Sequence, residues 1–169
     1  AAGAQTPAGL DARLDEADRL LRQNQVADAE ARFDTVLAEA RALVSDHHVA
    51  RALTGRSEVR LRQRRFTEGV ADAREALALL TVADDVIGSA RVHHQLSLLL
   101  NSLGDRGAAI AHAEQALERF TTGQNRRGEA LAASRVLRLI DADLPVGRQL
   151  APRGMAPGPT AGEAGPWGE

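Results

Sequence analysis

Apolar residues recur every three or four positions through most of the chain, the interval of an amphipathic helix. The first run, Leu10, Leu14, Ala17, Leu20 and Leu21, predicts a helix over Leu10–Gln23. A second helix follows over Val26–Val44, where Phe33 is suited to plug the gap between the two. Further runs predict helices over His47–Gln63, Thr67–Leu80, Asp84 or Asp85 to Leu103, Arg106–Phe120 and Arg126–Ala142. Ser45-Asp46 and Asp84-Asp85 supply the polar side chains that cap helix starts. The fifth run is the most apolar, with Val92, Leu96, Leu98, Leu99, Leu100 and Leu103. The seventh carries Ala130, Ala133, Val136, Leu137 and Ile140 but has no clear partner, because Pro145 and Gly147 interrupt the next turn.

The pattern also repeats. Gly104-Asp105 makes a tight turn, followed by Ala109, Ala113, Ala116 and Leu117. Forty residues earlier the turn is Arg64-Arg65-Phe66, followed by Gly69, Ala73, Ala76 and Leu77. Forty before that it is Asn24-Gln25-Val26, followed by Ala29, Phe33, Val36 and Leu37. A fixed period in this range is the mark of stacked supersecondary units. The small residues share one helix face and let the partner helix approach closely.

These residues carry a resemblance. The pattern LxxLGDxxxAxxxxxxAL, Leu100 to Leu117, is similar to the tetratricopeptide repeat. The period is longer than the usual one of about 34 residues. It looks like the long-helix variety of kinesin light chains and of bacterial regulators, and Gly123 to Ser134 resembles the linker and first helix of arrays attached to NTPase-type transcription regulators. The fold so implied is all-α, a right-handed superhelical stack of antiparallel helix pairs. Three pairs (10–44, 47–80 and 84–120) would be followed by a C-terminal capping helix (126–142), within a repeat domain spanning 10–145. Residues 1–9 read as a flexible lead-in, and 146–169, rich in Pro and Gly, as a disordered tail that holds Trp167. Trp167 reads as part of a linker, with an anchor for another chain as the alternative.

Composition narrows the chemistry. Aromatic residues are 2% of the 169 and Tyr is absent, so alanine and leucine must build the core. No cysteine is present, which removes disulfides and thiolate metal sites. All 21 basic residues are arginine. Residues 1–46 carry nine Asp/Glu and five Arg, whereas 47–82 carry seven Arg and four Asp/Glu, so neighbouring repeats are opposite in charge. Arg56, Arg60 and Arg64 form a stripe where the resemblance wants apolar residues, and buried they need acidic partners such as Asp34 or Glu39. The alternative is a loose, wet edge. The cluster Arg60, Arg62, Arg64 and Arg65 invites a nucleic-acid reading, but an acidic chain without interleaved aromatics argues against it.

No phosphate loop, nucleophile elbow or metal-ligand spacing stands in the sequence. His47-His48 and His93-His94 are adjacent on their helices and point about 100° apart, so neither pair chelates as a unit. His93 is expected to pack between helices and His94 to face the concave surface. The reading is therefore of a non-enzyme without cofactor or metal. No run spans a membrane and no signal peptide stands at the start, which points to the cytoplasm.

The resemblance implies that the first helix of each pair lines a concave groove. Carried over residue by residue, that gives Arg51, Thr54, Glu58 and Arg62, then Arg91, His94, Leu98 and Asn101, then Ser134, Arg138 and Asp141. The implied function is a protein-interaction module that binds a peptide or protein segment, or pairs with itself as a homodimer, within a larger bacterial regulatory or assembly protein. A sensory domain controlling an attached transcription-regulator or NTPase effector is the alternative, and a docking domain of a biosynthetic enzyme a weaker one.

Overall fold

The computed structural model describes residues 6–141. Seven helices follow one another: α1 (Pro7–Arg22), α2 (Val26–Ala42), α3 (Asp46–Arg62), α4 (Phe66–Val82), α5 (Val86–Ser102), α6 (Arg106–Thr122) and α7 (Arg126–Asp141). The all-α stack of pairs is as the periodicity predicts. Residues 1–5 and 142–169, with Pro145, Gly147 and Trp167, lie outside the described residues.

Two local expectations change. Helix α1 begins at Pro7 and not at Leu10, because the Thr6 hydroxyl accepts from the Gly9 N–H and a proline suits the first helical turn. Ser45 is the N-cap residue of α3, yet its hydroxyl meets His48 Nδ1 at 2.6 Å and makes no capping bond.

The connections are shorter and more regular than the 40-residue repeat discloses. Asn24, Val44, Arg64, Asp84, Gly104 and Gln124 stand twenty apart, and all have positive φ, between 51° and 85°. The N–H of each following residue reaches back to the helix just ended. Ser45 donates to the Ala40 carbonyl at 2.9 Å, Arg65 to Arg60 at 2.8 Å and Asn125 to Phe120 at 2.8 Å. This is the Schellman arrangement, which satisfies carbonyls that a helix end leaves open. The donor residue is also the start of the next helix. Asp85, Asp105 and Asn125 use their side chains there, accepting from the N–H groups of Gly88, Ala108 and Gly128.

Short connections make consecutive helices antiparallel neighbours. Each packs on the next through small residues: Ala29, Ala73, Ala76, Ala109, Ala113 and Ala116 have no exposed surface. Phe33 is buried, and the contact its ring makes is with Gly55 of α3, where an added Cβ would stand 2.3 Å from ring carbons, one helix beyond the α1–α2 gap expected for it. The odd-numbered helices also touch one another, α1 with α3, α3 with α5 and α5 with α7, while no comparable packing joins α2, α4 and α6. The odd helices therefore form the inner, concave layer of the stack. Among the described residues no helix is long and apolar enough to cross a membrane.

Val44 is the strained member of the turn series, a β-branched residue at φ 51° and 84% exposed. Val44→Gly removes that strain and is expected to stabilise the fold by about 1 kcal/mol, or roughly 2–4 °C in melting temperature. Gly104→Val, at φ 85°, is expected to move it the other way. Thermal unfolding followed by circular dichroism checks both signs.

Candidate partner-binding face

A cavity of about 670 Å³ opens on the inner layer. Asp18 of α1 lines it, with Arg51, Thr54 and Glu58 of α3, Arg91, His94 and Gln95 of α5, and Arg127 and Leu131 of α7. Leu80, Ile87 and Phe120 supply apolar wall. Five of the residues expected in the groove are thus brought together: Arg51, Thr54, Glu58, Arg91 and His94. Arg62, Leu98, Asn101, Ser134, Arg138 and Asp141 do not line this cavity. Arg62 spans back to α1, donating to the Leu21 carbonyl at 2.7 Å and pairing with Glu58 at 2.6 Å. Arg138 donates to the Ser134 hydroxyl at 3.1 Å, Leu98 is half-buried and Asn101 is exposed.

Asp18, Gln95 and Arg127 were not in the expected set, although the repeat relates each to another lining residue. Asp18 is forty residues before Glu58, Gln95 forty after Gly55, and Arg127 eighty after His47. Stepping Glu58 back by the period would have found Asp18, whereas Gln95 and Arg127 answer to Gly55 and His47, which were outside the expected set.

Charge is distributed unevenly across this face. Arg51 is met by Asp11 at 2.7 Å and Asp15 at 2.9 Å, both on α1, with Asp18 at 3.9 Å. Arg91 and Arg127 make no ion pair within the described residues. Arg135, behind them on α7, donates to the Ser97 hydroxyl and carbonyl at 3.3 and 3.2 Å. Burial lowers the His94 pKa, and Arg135 and Arg138 push the same way. Burial raises the Asp18 pKa, and Arg51 opposes it.

The arginine stripe on the other side of α3 is not a wet edge. Asp72 of α4 is buried between two guanidinium groups, accepting from Arg56 Nε at 2.9 Å and Nη2 at 2.8 Å, and pairing with Arg60 at 2.7 Å. Arg56 also reaches Asp34 at 2.7 Å. The Asp72 hydrogen bond raises the Arg56 pKa well above its ordinary value, so the charge is fixed. Asp34 was an expected partner and Asp72 was not. Glu39, the other expected partner, is engaged with Arg13 instead. Arg64 falls outside the network, exposed at its left-handed turn. Arg65 is engaged by Glu30 and Glu68 on the surface.

His93 packs between α5 and α6, and its Nδ1 lies 2.8 Å from His112 Nδ1. One ring donates and the other accepts, so the two cannot both be protonated. Burial lowers the His93 pKa to about 4, with Arg119 and His112 adding to it. Burial and Arg74 lower that of His112. Among the described residues no three His, Asp or Glu side chains are grouped to hold a metal ion.

The tetratricopeptide repeat family model matches residues 48–122, which run from α3 to the end of α6. Residues 48–122 and the seven-helix stack fit a tetratricopeptide-like repeat. No curated protein matches the sequence. Repeats of this family generally serve as protein-interaction modules without catalysis. The matched stretch includes Arg51, Thr54, Glu58, Arg91 and His94 on the inner layer.

Two measurements test these electrostatics. Asp72→Ala leaves Arg56 and Arg60 facing each other at side-chain exposures of 16% and 14%. Breaking such a pair costs about 3–5 kcal/mol, and Asp34 keeps the loss at the lower end. Urea unfolding should show that loss, and a smaller one for Arg60→Leu, which leaves Arg56 with Asp72. Acidification reports on the histidines. Their folded pKa values are lowered, so the unfolded chain takes up protons that the fold refuses. Stability is expected to hold above the ordinary histidine pKa of about 6.5. It should then fall with pH towards the His93 value of about 4. The His93→Gln/His112→Gln variant should flatten the plot of unfolding free energy against pH in that window.

Proposed function

We propose that the chain is a non-catalytic interaction module that receives an extended peptide or protein segment on its inner face, as part of a larger regulatory or assembly protein. The observation that carries this reading is the cavity shared by α1, α3, α5 and α7. It combines apolar wall with hydrogen-bonding and charged side chains from successive repeats, which is what a segment lying across the repeats requires. Thr54 stands within it, with its hydroxyl turned back to the Ala50 carbonyl at 2.7 Å. A tryptophan at this position would fill the cavity. Peptides selected from a phage-displayed random library against the chain are expected to lose about tenfold or more in affinity for Thr54→Trp, a loss of about 1.4 kcal/mol. Unchanged affinity would put binding elsewhere.

Self-association is the second reading, and helix α7 favours it. Leu137 and Ile140 are 63% and 45% exposed, and no helix among the described residues packs over them. Light scattering over a range of concentrations checks it. A dimer that Leu137→Glu dissociates supports pairing through α7, and a monomer at all concentrations opposes it.

A further inference from the structure

The repeat makes the two halves of the inner face directly comparable. Asp11, Arg51, Arg91 and Leu131 are forty residues apart and occupy one register on α1, α3, α5 and α7. Arg51 has an acid at its register, since Asp11 of the preceding inner helix pairs with it at 2.7 Å. Arg91 has Arg51 on one side of it in the register and Leu131 on the other, and finds no carboxylate within the described residues. Arg127 is also without one. Asp85 lines the same cavity, but one of its oxygens accepts from the Gly88 N–H at the start of α5. Gln95 lines it as well, 9% exposed, and its Nε2 has no acceptor among the described residues.

The cation pattern therefore ends in two guanidinium groups on adjacent inner helices, beside the apolar side chains of Ile87, Phe120 and Leu131. A guanidinium that faces open space in a cavity is a ready partner for a carboxylate. Packed helices lie roughly 8–10 Å apart, and Arg127 stands one turn, about 5 Å, before the register of Arg91, an offset that two long arginine side chains can span. Three residues of extended polyproline-type chain advance about 9 Å and return to the same side of the segment. We infer that the α5–α7 half of the inner face recognises an extended segment with two side-chain carboxylates three residues apart and apolar residues between them, one carboxylate on Arg91 and the other on Arg127. This rests on the peptide-binding reading above and adds the chemistry of the occupant. The α1–α3 half has its arginine already neutralised and contributes shape and hydrogen bonds.

The test uses the whole chain and a fluorescein-labelled dodecapeptide with a carboxy-terminal amide. Glu-Leu-Pro-Glu stands at its centre between Ser-Gly flanks, and anisotropy reads its binding. Replacing both glutamates by glutamine is expected to weaken binding about tenfold or more, as is raising the salt. Arg91→Ala and Arg127→Ala should each weaken it several-fold while Arg65→Ala does not, with melting curves confirming that all variants fold. A peptide with its glutamates adjacent should bind less well than one with them three apart. The glutamine peptide with a free carboxy terminus, and glutarate as competitor, distinguish side-chain carboxylates from a terminal or free one. Equal binding of the glutamate and glutamine peptides overturns the inference, as does indifference to both arginine variants. Binding of library-selected neutral peptides in a Thr54→Trp-sensitive way, without binding of the glutamate peptide, would overturn the carboxylate and leave the groove standing. Library peptides indifferent to Thr54→Trp would remove the groove itself.

Discussion

The structure depends on one backbone device used six times. A helix ends, one residue turns left-handed, and the next N–H bonds back to the helix while beginning the following one. Because the joint has the same length each time, every helix meets its neighbour in nearly the same way. Burial then selects small residues at the crossings, and the alanines without exposed surface stand there. Repetition of one joint and one crossing stacks the odd-numbered helices together on the inside. The concave face is a geometric consequence of the joint, and no residue need be selected to create it.

On that frame, charge divides the molecule by repeat. Within the first four helices Arg51 is neutralised by Asp11 and Asp15, and Arg56 and Arg60 by Asp72. These contacts tie α1 to α3 and α3 to α4, so they fix neighbours while masking positive charge. On the inner face further along, Arg91 and Arg127 are left uncompensated beside apolar wall. Both are exposed, so water solvates them in the free protein, and charge-assisted hydrogen bonds form when a carboxylate covers them. This asymmetry distinguishes a half of the face with open cations from a half whose arginine is paired internally.

Much of this was legible in the sequence, for identifiable reasons. Ala109, Ala113 and Ala116 stand at helical spacing beside a Gly-Asp turn, and the same spacing returns forty residues earlier, so fold and pairing followed from the pattern. The twenty-residue regularity was obscured because only one of the six left-handed residues is glycine, while Val44 and Arg64 carry no turn signal. Partners across helices were the hardest part. Arg56 and Arg60 visibly needed acids, but α3 presents them to α4, so Asp72 took the place offered to Glu39. Of the groove positions, Arg51, Thr54, Glu58, Arg91 and His94 converge on the cavity, and those in the last turn of their helices, such as Arg62 and Asn101, do not. Sequence register names the face but not how far along each helix the opening lies.

Hydrogen–deuterium exchange on the whole chain, with and without a bound segment, tests the claim that partners are received on the inner layer most directly. The account predicts added protection in α3, α5 and the first turns of α7, with α2, α4 and α6 unchanged. Protection confined to α2, α4 and α6 would contradict it and turn the molecule's working surface outward.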